Sequence, residues 1–272
     1  MGAMCPFENR IEFNKNYGKW FVSDVLHAIQ KYALIESGER VCVALSGGRD
    51  STTLLGILYY LKEFSHLSFD LSAVHIKTEA YDTMVLAQFC DSLGIEYFEE
   101  TLRPTSSGKP VNTCYMCSRL KRGALSSLIE RQGIQNVAYG HHAGDVAETF
   151  FMNIVLHRKL GSFSPRVEYS DNSMVIIRPL VYLDQPRIHA IHKQMGLPRL
   201  EYRCKLADRN IRATFRQALG AMDNIFQTRD FSSRLVESLE NIDYTNIWGD
   251  LIDERDSLSP KDTETTWPSK YR

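Results

Sequence analysis

Residues 41–51 read Val-Cys-Val-Ala-Leu-Ser-Gly-Gly-Arg-Asp-Ser. The apolar and small residues that open this stretch predict a buried strand. Over 52–61 the apolar positions (Leu54, Leu55, Ile57, Leu58, Leu61) then shift to helical spacing. An amphipathic helix is predicted over 17–36, where Val22, Val25, Leu26, Ile29, Tyr32 and Ala33 recur at three- and four-residue steps. Further strands are predicted at 71–76, 95–99, 136–139 and 174–177, helices at 83–93, 118–132 and 146–156, and a loop at 101–113. Strands alternating with helices imply an α/β fold: a parallel sheet with right-handed crossovers and helices on both faces. After Gln227 the pattern decays, and the polar stretch 253–272, with Pro260 and Trp267-Pro268, reads as a poorly ordered tail. The expected organisation is an N-terminal extension over 1–13, a catalytic domain over 14–230 and a partly disordered C-terminal extension over 231–272.

Ser46, Gly47, Gly48, Asp50 and Ser51 turn the first strand into its helix. Without Cβ atoms at Gly47 and Gly48, backbone N–H groups can close on a ligand. The new helix aims its unpaired amides and positive dipole end at the same place. Such a turn suits an anion, most simply a nucleotide phosphate; the plainer reading is a strand–turn–helix with Ser46 or Ser51 as N-cap. Ligands of such sheets bind outside the carboxyl ends of the strands, where this turn sits. His75 would lie at the same edge, either touching the nucleotide or satisfied in the core. The Ser-Gly-Gly-x-Asp-Ser turn resembles the PP-loop of the adenine-nucleotide α-hydrolase superfamily. It differs from the Gly-x-x-x-x-Gly-Lys-Ser/Thr loop of enzymes that cut between β- and γ-phosphates. The resemblance implies that the turn holds the pyrophosphate of ATP while the α-phosphate goes to a carbonyl oxygen.

Bulk properties narrow the setting. At 272 residues, 43% hydrophobic and 24% charged, the chain can bury a full α/β core. A net charge of −1 leaves any RNA binding to a local basic patch. No run reaches the ~20 apolar residues of a membrane helix, and no signal-peptide core opens the sequence. A cytoplasmic, reducing location is expected, where the six cysteines are not read as disulfides.

Cys114-Tyr-Met-Cys117 opens onto Ser118-Arg-Leu-Lys-Arg-Gly123. A Cys-x-x-Cys pair at a helix start, with Arg119, Lys121 and Arg122 nearby, favours thiolates that reach one metal. Cys42 and Cys90 fall on predicted core elements and read as small buried hydrophobes, and Cys5 lies near the terminus. Cys204 stands among Arg199, Arg203, Lys205 and Arg209. Three readings follow: a redox pair, a structural zinc site with a histidine as fourth ligand, or a three-thiolate site with one open position, which suits chemistry at a metal.

The segment Cys-x-x-Cys-Ser-Arg-Leu-Lys-Arg-Gly resembles the signature of the tRNA 2-thiocytidine synthetase group. Gly140-His-His142 with Asp145, Glu148-Thr149 and Asn153, then Ile177-Arg-Pro-Leu180, resemble that group in the same order. The resemblance implies a four-iron four-sulfur (4Fe-4S) cluster on Cys114, Cys117 and Cys204. Three positions depart from the group. Arg49 stands where lysine is usual, Ala143-Gly144 where Arg-Asp is common, and Ala207 where a second downstream cysteine is common.

The expected chemistry is ATP-dependent replacement of a nucleobase carbonyl oxygen by sulfur, by resemblance at C2 of a tRNA cytidine. Expected nucleotide-site residues are Ser46, Gly47, Gly48, Asp50, Ser51, His75, Gly140 and Asp145, with Asp50 and Asp145 positioning magnesium or ATP. Asp50, Cys114, Cys117 and Cys204 are expected to carry the reaction. His141 and His142 either orient Asp145 or sit satisfied in the core. Arg209, Arg212 and Arg216, at helical spacing, read as tRNA phosphate contacts or as a solvated face. Expected partners are tRNA, a sulfur donor such as a cysteine desulfurase or free sulfide, and a second copy in a homodimer. Rival readings are attachment of an amine without a cluster, thiolation or desulfuration of a free base or metabolite, and an ATP- or cluster-sensing protein.

Overall fold

The computed structural model describes residues 11–78, 82–102, 114–169, 174–200, 211–228 and 230–243, apart from the side chains of Cys114 and Tyr115. A π-helical turn, Gly18–Val22, leads into α1 (Ser23–Lys31). There follow β1 (Arg40–Ala44), α2 (Arg49–Phe64), β2 (Asp70–Lys77), α3 (Met84–Ser92), β3 (Glu96–Thr101) and α4 (Cys114–Arg131). The chain continues through β4 (Asn136–Ala138), α5 (Ala143–Met152) with a π-helical turn at Asn153–His157, β5 (Arg166–Glu168), β6 (Val175–Ile177), α6 (Gln185–Gln194), α7 (Ile211–Phe226) and α8 (Phe231–Glu240).

The six strands form one sheet in the order β3-β2-β1-β4-β6-β5. Every pairing is parallel except β5 with β6. β1 is buried on both faces, and its pleat divides its side chains between two cores. Val41 and Val43 face the larger core, which α1, α2, α3, α5 and α6 cover. Cys42 points to the other face, where Leu125, Leu128 and Ile129 of α4 close over it. Burial pushes the thiols of Cys42 and Cys90 up to about 12, so both are inert core side chains, as their positions in the pattern implied.

The topology fixes where a ligand goes. From β1 the chain crosses one way to β2 and β3, while β4 and β6 lie on the other side. The carboxyl ends of β1 and β4 therefore flank the switch point, the usual crevice of an open α/β sheet. Gly140, just beyond β4, closes it. A Cβ at Gly140 would lie 2.9 Å from the backbone carbon and oxygen of Asp50 and 3.0 Å from the nitrogen of Ser51. Only a residue without Cβ allows that contact.

Four differences from the sequence expectation have local causes. The first helix ends at Lys31 rather than running to 36, because Ala33 adopts φ +47 and Leu34 N–H donates to Ile29 O at 2.9 Å. The α4 helix begins at Cys114 instead of 118, so the cysteine pair lies inside its first turn. The antiparallel β5 was not expected. Beyond Gln227 the helical pattern does not stop: α8 packs against α5, buries Val236, and is tied down by Glu240. Glu240 accepts from Tyr32 and Tyr182 and pairs with Lys31 at 2.9 Å. The expected 1–13 extension (through residue 10), the loop from 103 to 113 and the tail from 244 onward lie outside the described residues. No described helix is long and apolar enough to cross a membrane.

The two glycines make a paired test. Gly140→Ala forces rigid backbone apart and is expected to lower the melting midpoint by roughly 3–8 °C. Gly48→Ala meets only Ser46 Oγ, at 3.4 Å, and is expected to leave the midpoint nearly unchanged. Thermal melts followed by circular dichroism check both.

Candidate active site

The loop after β1 is held by its own hydroxyls. Leu45 N–H donates to Val74 O at 2.8 Å, the last ladder bond before the chain leaves the sheet. Ser51 Oγ donates its single proton to Gly48 O at 3.0 Å. It accepts from Ser46 N–H at 3.1 Å, and from Ser46 Oγ, 3.0 Å away, which must be the donor of that pair. Gly48 N–H reaches Ser46 Oγ at 3.3 Å. Ser51 is buried and acts inside the loop, whereas Ser46 is exposed at its tip. Gly47 takes φ +79, a left-handed conformation that other residues rarely adopt. Its carbonyl accepts from Leu200 N–H at 2.9 Å, so residues 198–200 lie along one side of the loop. Gly48 is the N-cap of α2, and no side chain satisfies the cap. The amides at that end remain directed at the crevice.

Across the crevice, His142 caps α5. Its Nδ1 accepts from Gly144 N–H at 3.0 Å, and its own N–H donates to Asp145 Oδ2 at 3.0 Å. With Nδ1 accepting, the neutral ring carries its proton on Nε2, which lies 3.6 Å from Asp145 Oδ2. His142 therefore orients Asp145. A Cβ at position 144 would stand 2.8 Å from His142 Cε1 and 3.0 Å from Nδ1. The glycine that replaces the acid common in the resembling group thus makes room for this ring.

Asp50 faces the same space. Burial raises its carboxyl above the usual range; His142 opposes that rise and Asp145 adds to it. Asp50 thus senses Asp145 across the crevice. His141 takes the core alternative: it stacks on Tyr139, accepts from Arg178 Nε at 3.1 Å, and burial pushes it down to about 4. His75 is 2% exposed, and its Nδ1–H donates to Leu45 O at 2.6 Å, bracing the start of the loop from the neighbouring strand.

Two features were not legible in sequence. Arg216 on α7 pairs through Nε with Glu148 Oε1 at 2.6 Å, and Glu148 is 2% exposed with its other oxygen unpartnered among the described residues. Arg216 therefore leans onto α5 rather than standing only in a solvated row. Arg212 contributes to the electrostatics of Glu148 and His141 from the same helix, while Arg209 lies outside the described residues. The second feature is Arg49, whose Nη1 donates to His189 Nε2 of α6 at 3.2 Å. An isolated helical histidine carries no sequence signal for such a contact.

Of the three expected cysteine ligands, Cys117 is half-buried one helical turn after Cys114, at the opening of α4. Cys204 lies outside the described residues. Among the described residues no three His, Cys, Asp or Glu side chains converge as a metal site.

The chain is 37% identical over 197 residues to the tRNA-cytidine(32) 2-sulfurtransferase of Saccharophagus degradans, covering 70% of this chain and 63% of that protein. It is 40% identical over 162 residues to the enzyme of the same name from Aliivibrio salmonicida, covering 57% and 53%. It therefore spans just under two thirds of the first of these relatives and about half of the second. Its fold matches the U34-tRNA thiolase of Methanococcus maripaludis, solved with its [4Fe-4S] cluster, at a TM-score of 0.67 and 19% identity, covering 88% and 85% of the two chains. The sequence model of the PP-loop domain matches residues 20–222, and the chain belongs to the PP-loop family.

Proposed function

We propose that this protein uses ATP to replace the C2 carbonyl oxygen of a tRNA cytidine with sulfur. The observation that carries the reading is one crevice, at the β1/β4 switch point, that joins a pyrophosphate-shaped loop to the facing carboxylates Asp50 and Asp145. The names of the relatives, tRNA-cytidine(32) 2-sulfurtransferase, support the substrate, and the cluster-bearing structural neighbour supports the cofactor.

Sulfide cannot displace an amide-like oxygen directly, because that oxygen is a poor leaving group. Transfer of the α-phosphate forms an oxygen–phosphorus bond and breaks the bond to pyrophosphate. Sulfur then adds at the activated carbon, and AMP leaves with the original oxygen. The amides around Gly47 and Gly48 and the N-terminus of α2 stabilise charge on the departing pyrophosphate. Asp50 and Asp145, hard oxygen donors, suit magnesium, which would offset the charge of the triphosphate and relieve the burial and Asp145 repulsion that raise Asp50. Cys114, Cys117 and Cys204 would hold the 4Fe-4S cluster; thiolates suit an iron–sulfur group, which would carry the incoming sulfur. On this reading the sulfur comes from a donor such as a cysteine desulfurase or free sulfide, and the reaction is cytoplasmic.

Asp50 gives a test with opposite signs. Its carboxyl ionises less readily folded than unfolded, so its charge costs stability once pH exceeds the folded pKa, and acidification restores that stability. Asp50→Asn is expected to melt slightly higher than wild type at pH 7 while forming no AMP. Product analysis of wild type alongside it decides the chemistry: ADP and phosphate would overturn the reading.

Anaerobically purified protein is expected to contain iron and acid-labile sulfide. Cys114→Ala, Cys117→Ala and Cys204→Ala should each lose the brown colour, while Cys42→Ala and Cys90→Ala keep it. Full zinc occupancy without iron after anaerobic reconstitution would exclude the cluster.

Binding of tRNA should weaken steeply with salt, by roughly −0.7 to −0.9 in log K per contacted phosphate against log salt. Arg212→Gln is expected to flatten that slope without changing ATP affinity. Arg216 is the poorer probe, because its loss strands the buried Glu148. A salt-independent interaction, or activity on a free base unaffected by competing tRNA, would point to a small-molecule substrate.

A further inference from the structure

Arg49 occupies the first position of α2, directly after the N-cap Gly48, so its side chain starts at the mouth of the phosphate loop. A long cation there has several places to go. The neighbouring Asp50 offers a negative charge, and so does Asp145 across the crevice. Instead Nη1 of Arg49 donates to Nε2 of His189, 3.2 Å away on α6. Burial and the Arg49 guanidinium both push His189 below its usual range, so at neutral pH the ring is uncharged and can accept.

The acceptor itself is held firmly. α6 packs on α2, and Gly56 of α2 allows a close approach: a Cβ there would stand 3.2 Å from Leu197, just past α6. One turn after His189, His192 Nε2–H donates to Pro198 O at 3.2 Å, and two residues later Leu200 N–H reaches Gly47 O at 2.9 Å. The segment after α6 thus reaches the loop at Gly47, while α6 itself meets Arg49. The groups around His189 are Arg49, Asp50, His142 and Arg199.

We propose that His189 is a positioning residue for the nucleotide: it orients Arg49 over the loop toward the pyrophosphate part of ATP without neutralising its charge. A carboxylate at this position would also hold the guanidinium, but would cancel the charge the phosphates need. A neutral imidazole supplies geometry alone and occupies one of the five guanidinium N–H donors, leaving the rest for phosphate oxygens. A lysine at position 49 would present a point charge with no planar fork to orient. The proposal rests on the ATP site described above and adds to it a residue from outside the loop.

The test is a binding series with ATP, inorganic pyrophosphate and AMP on the full chain. His189→Ala is expected to weaken ATP and pyrophosphate about five- to tenfold, with AMP affinity within twofold, because AMP lacks the part Arg49 grips. His189→Gln, a neutral acceptor, should stay within about twofold of wild type. His189→Glu should be at least as weak as His189→Ala for ATP. In an Arg49→Ala background, His189→Ala should add no further loss. Additive losses in that cycle, a glutamine variant as weak as alanine, or equal weakening of AMP would each overturn the role. The glutamine and glutamate variants keep the test decisive should the alanine variant fold poorly. If wild type itself yields ADP and phosphate, the adenylation reading fails; if it yields AMP and the cycle shows no coupling, only His189 loses its role.

Discussion

Gly140, just beyond β4, packs so close to α2 that a Cβ on it would stand 2.9 Å from the backbone of Asp50. That approach brings the start of α2 and the start of α5 to opposite walls of one crevice. From one wall come the amides of the loop and Asp50; from the other come His142 and Asp145. The sheet order supplies the crevice, but this single packing contact sets its width. Interiors pack too tightly for such a contact to be relaxed without moving the elements behind it. Here those elements are helices that cover the core.

The crevice also concentrates charge in a setting that resists it. Asp50 and Glu148 are both raised by burial, and Arg216 reaches in from α7 to compensate Glu148. The histidines divide the remaining work by protonation state. His142 accepts at Nδ1 and turns its other nitrogen toward Asp145, His141 accepts from Arg178, and His189 accepts from Arg49. His141 and His189, both pushed below the usual range by burial, are neutral acceptors that fix a neighbour while adding no charge. Such a set suits a site that must admit a polyanion yet keep two carboxylates close to it.

Much of this was readable from residue order. The turn at 46–51 was visible because small and hydroxyl residues interrupt an apolar run, and such interruptions have few structural explanations. The parallel sheet followed from the alternation of periods. Other features left no local mark. A helix that stops at Ala33 with φ +47 shows no glycine to announce it, whereas Gly133, at φ +63, marks the end of α4 plainly. The three-residue β5, Arg166-Val-Glu168, sets one apolar residue between two charged ones, so no apolar run marks it as β4 and β6 are marked. The amphipathic face of α8 is short and flanked by polar residues, so its apolar positions merged with the stretch that follows. Arg216 looked like one member of a surface row because its partner, Glu148, lies 68 residues earlier. His75 was placed correctly at the sheet edge, yet only geometry shows its ring spent on Leu45.

The contacts of Glu240 join parts of the chain that are far apart in sequence. Lys31 and Tyr32 stand at the end of the first helix, Tyr182 precedes α6, and Glu240 closes the last described helix. Releasing α8 therefore also strips Tyr32 and Lys31 of their partner, so α8 and the end of α1 do not loosen independently. α8 also packs on α5, which forms one wall of the crevice. Local opening of α8 is therefore coupled both to the end of α1 and to the wall that carries Asp145, and the fold gains cooperativity between these elements.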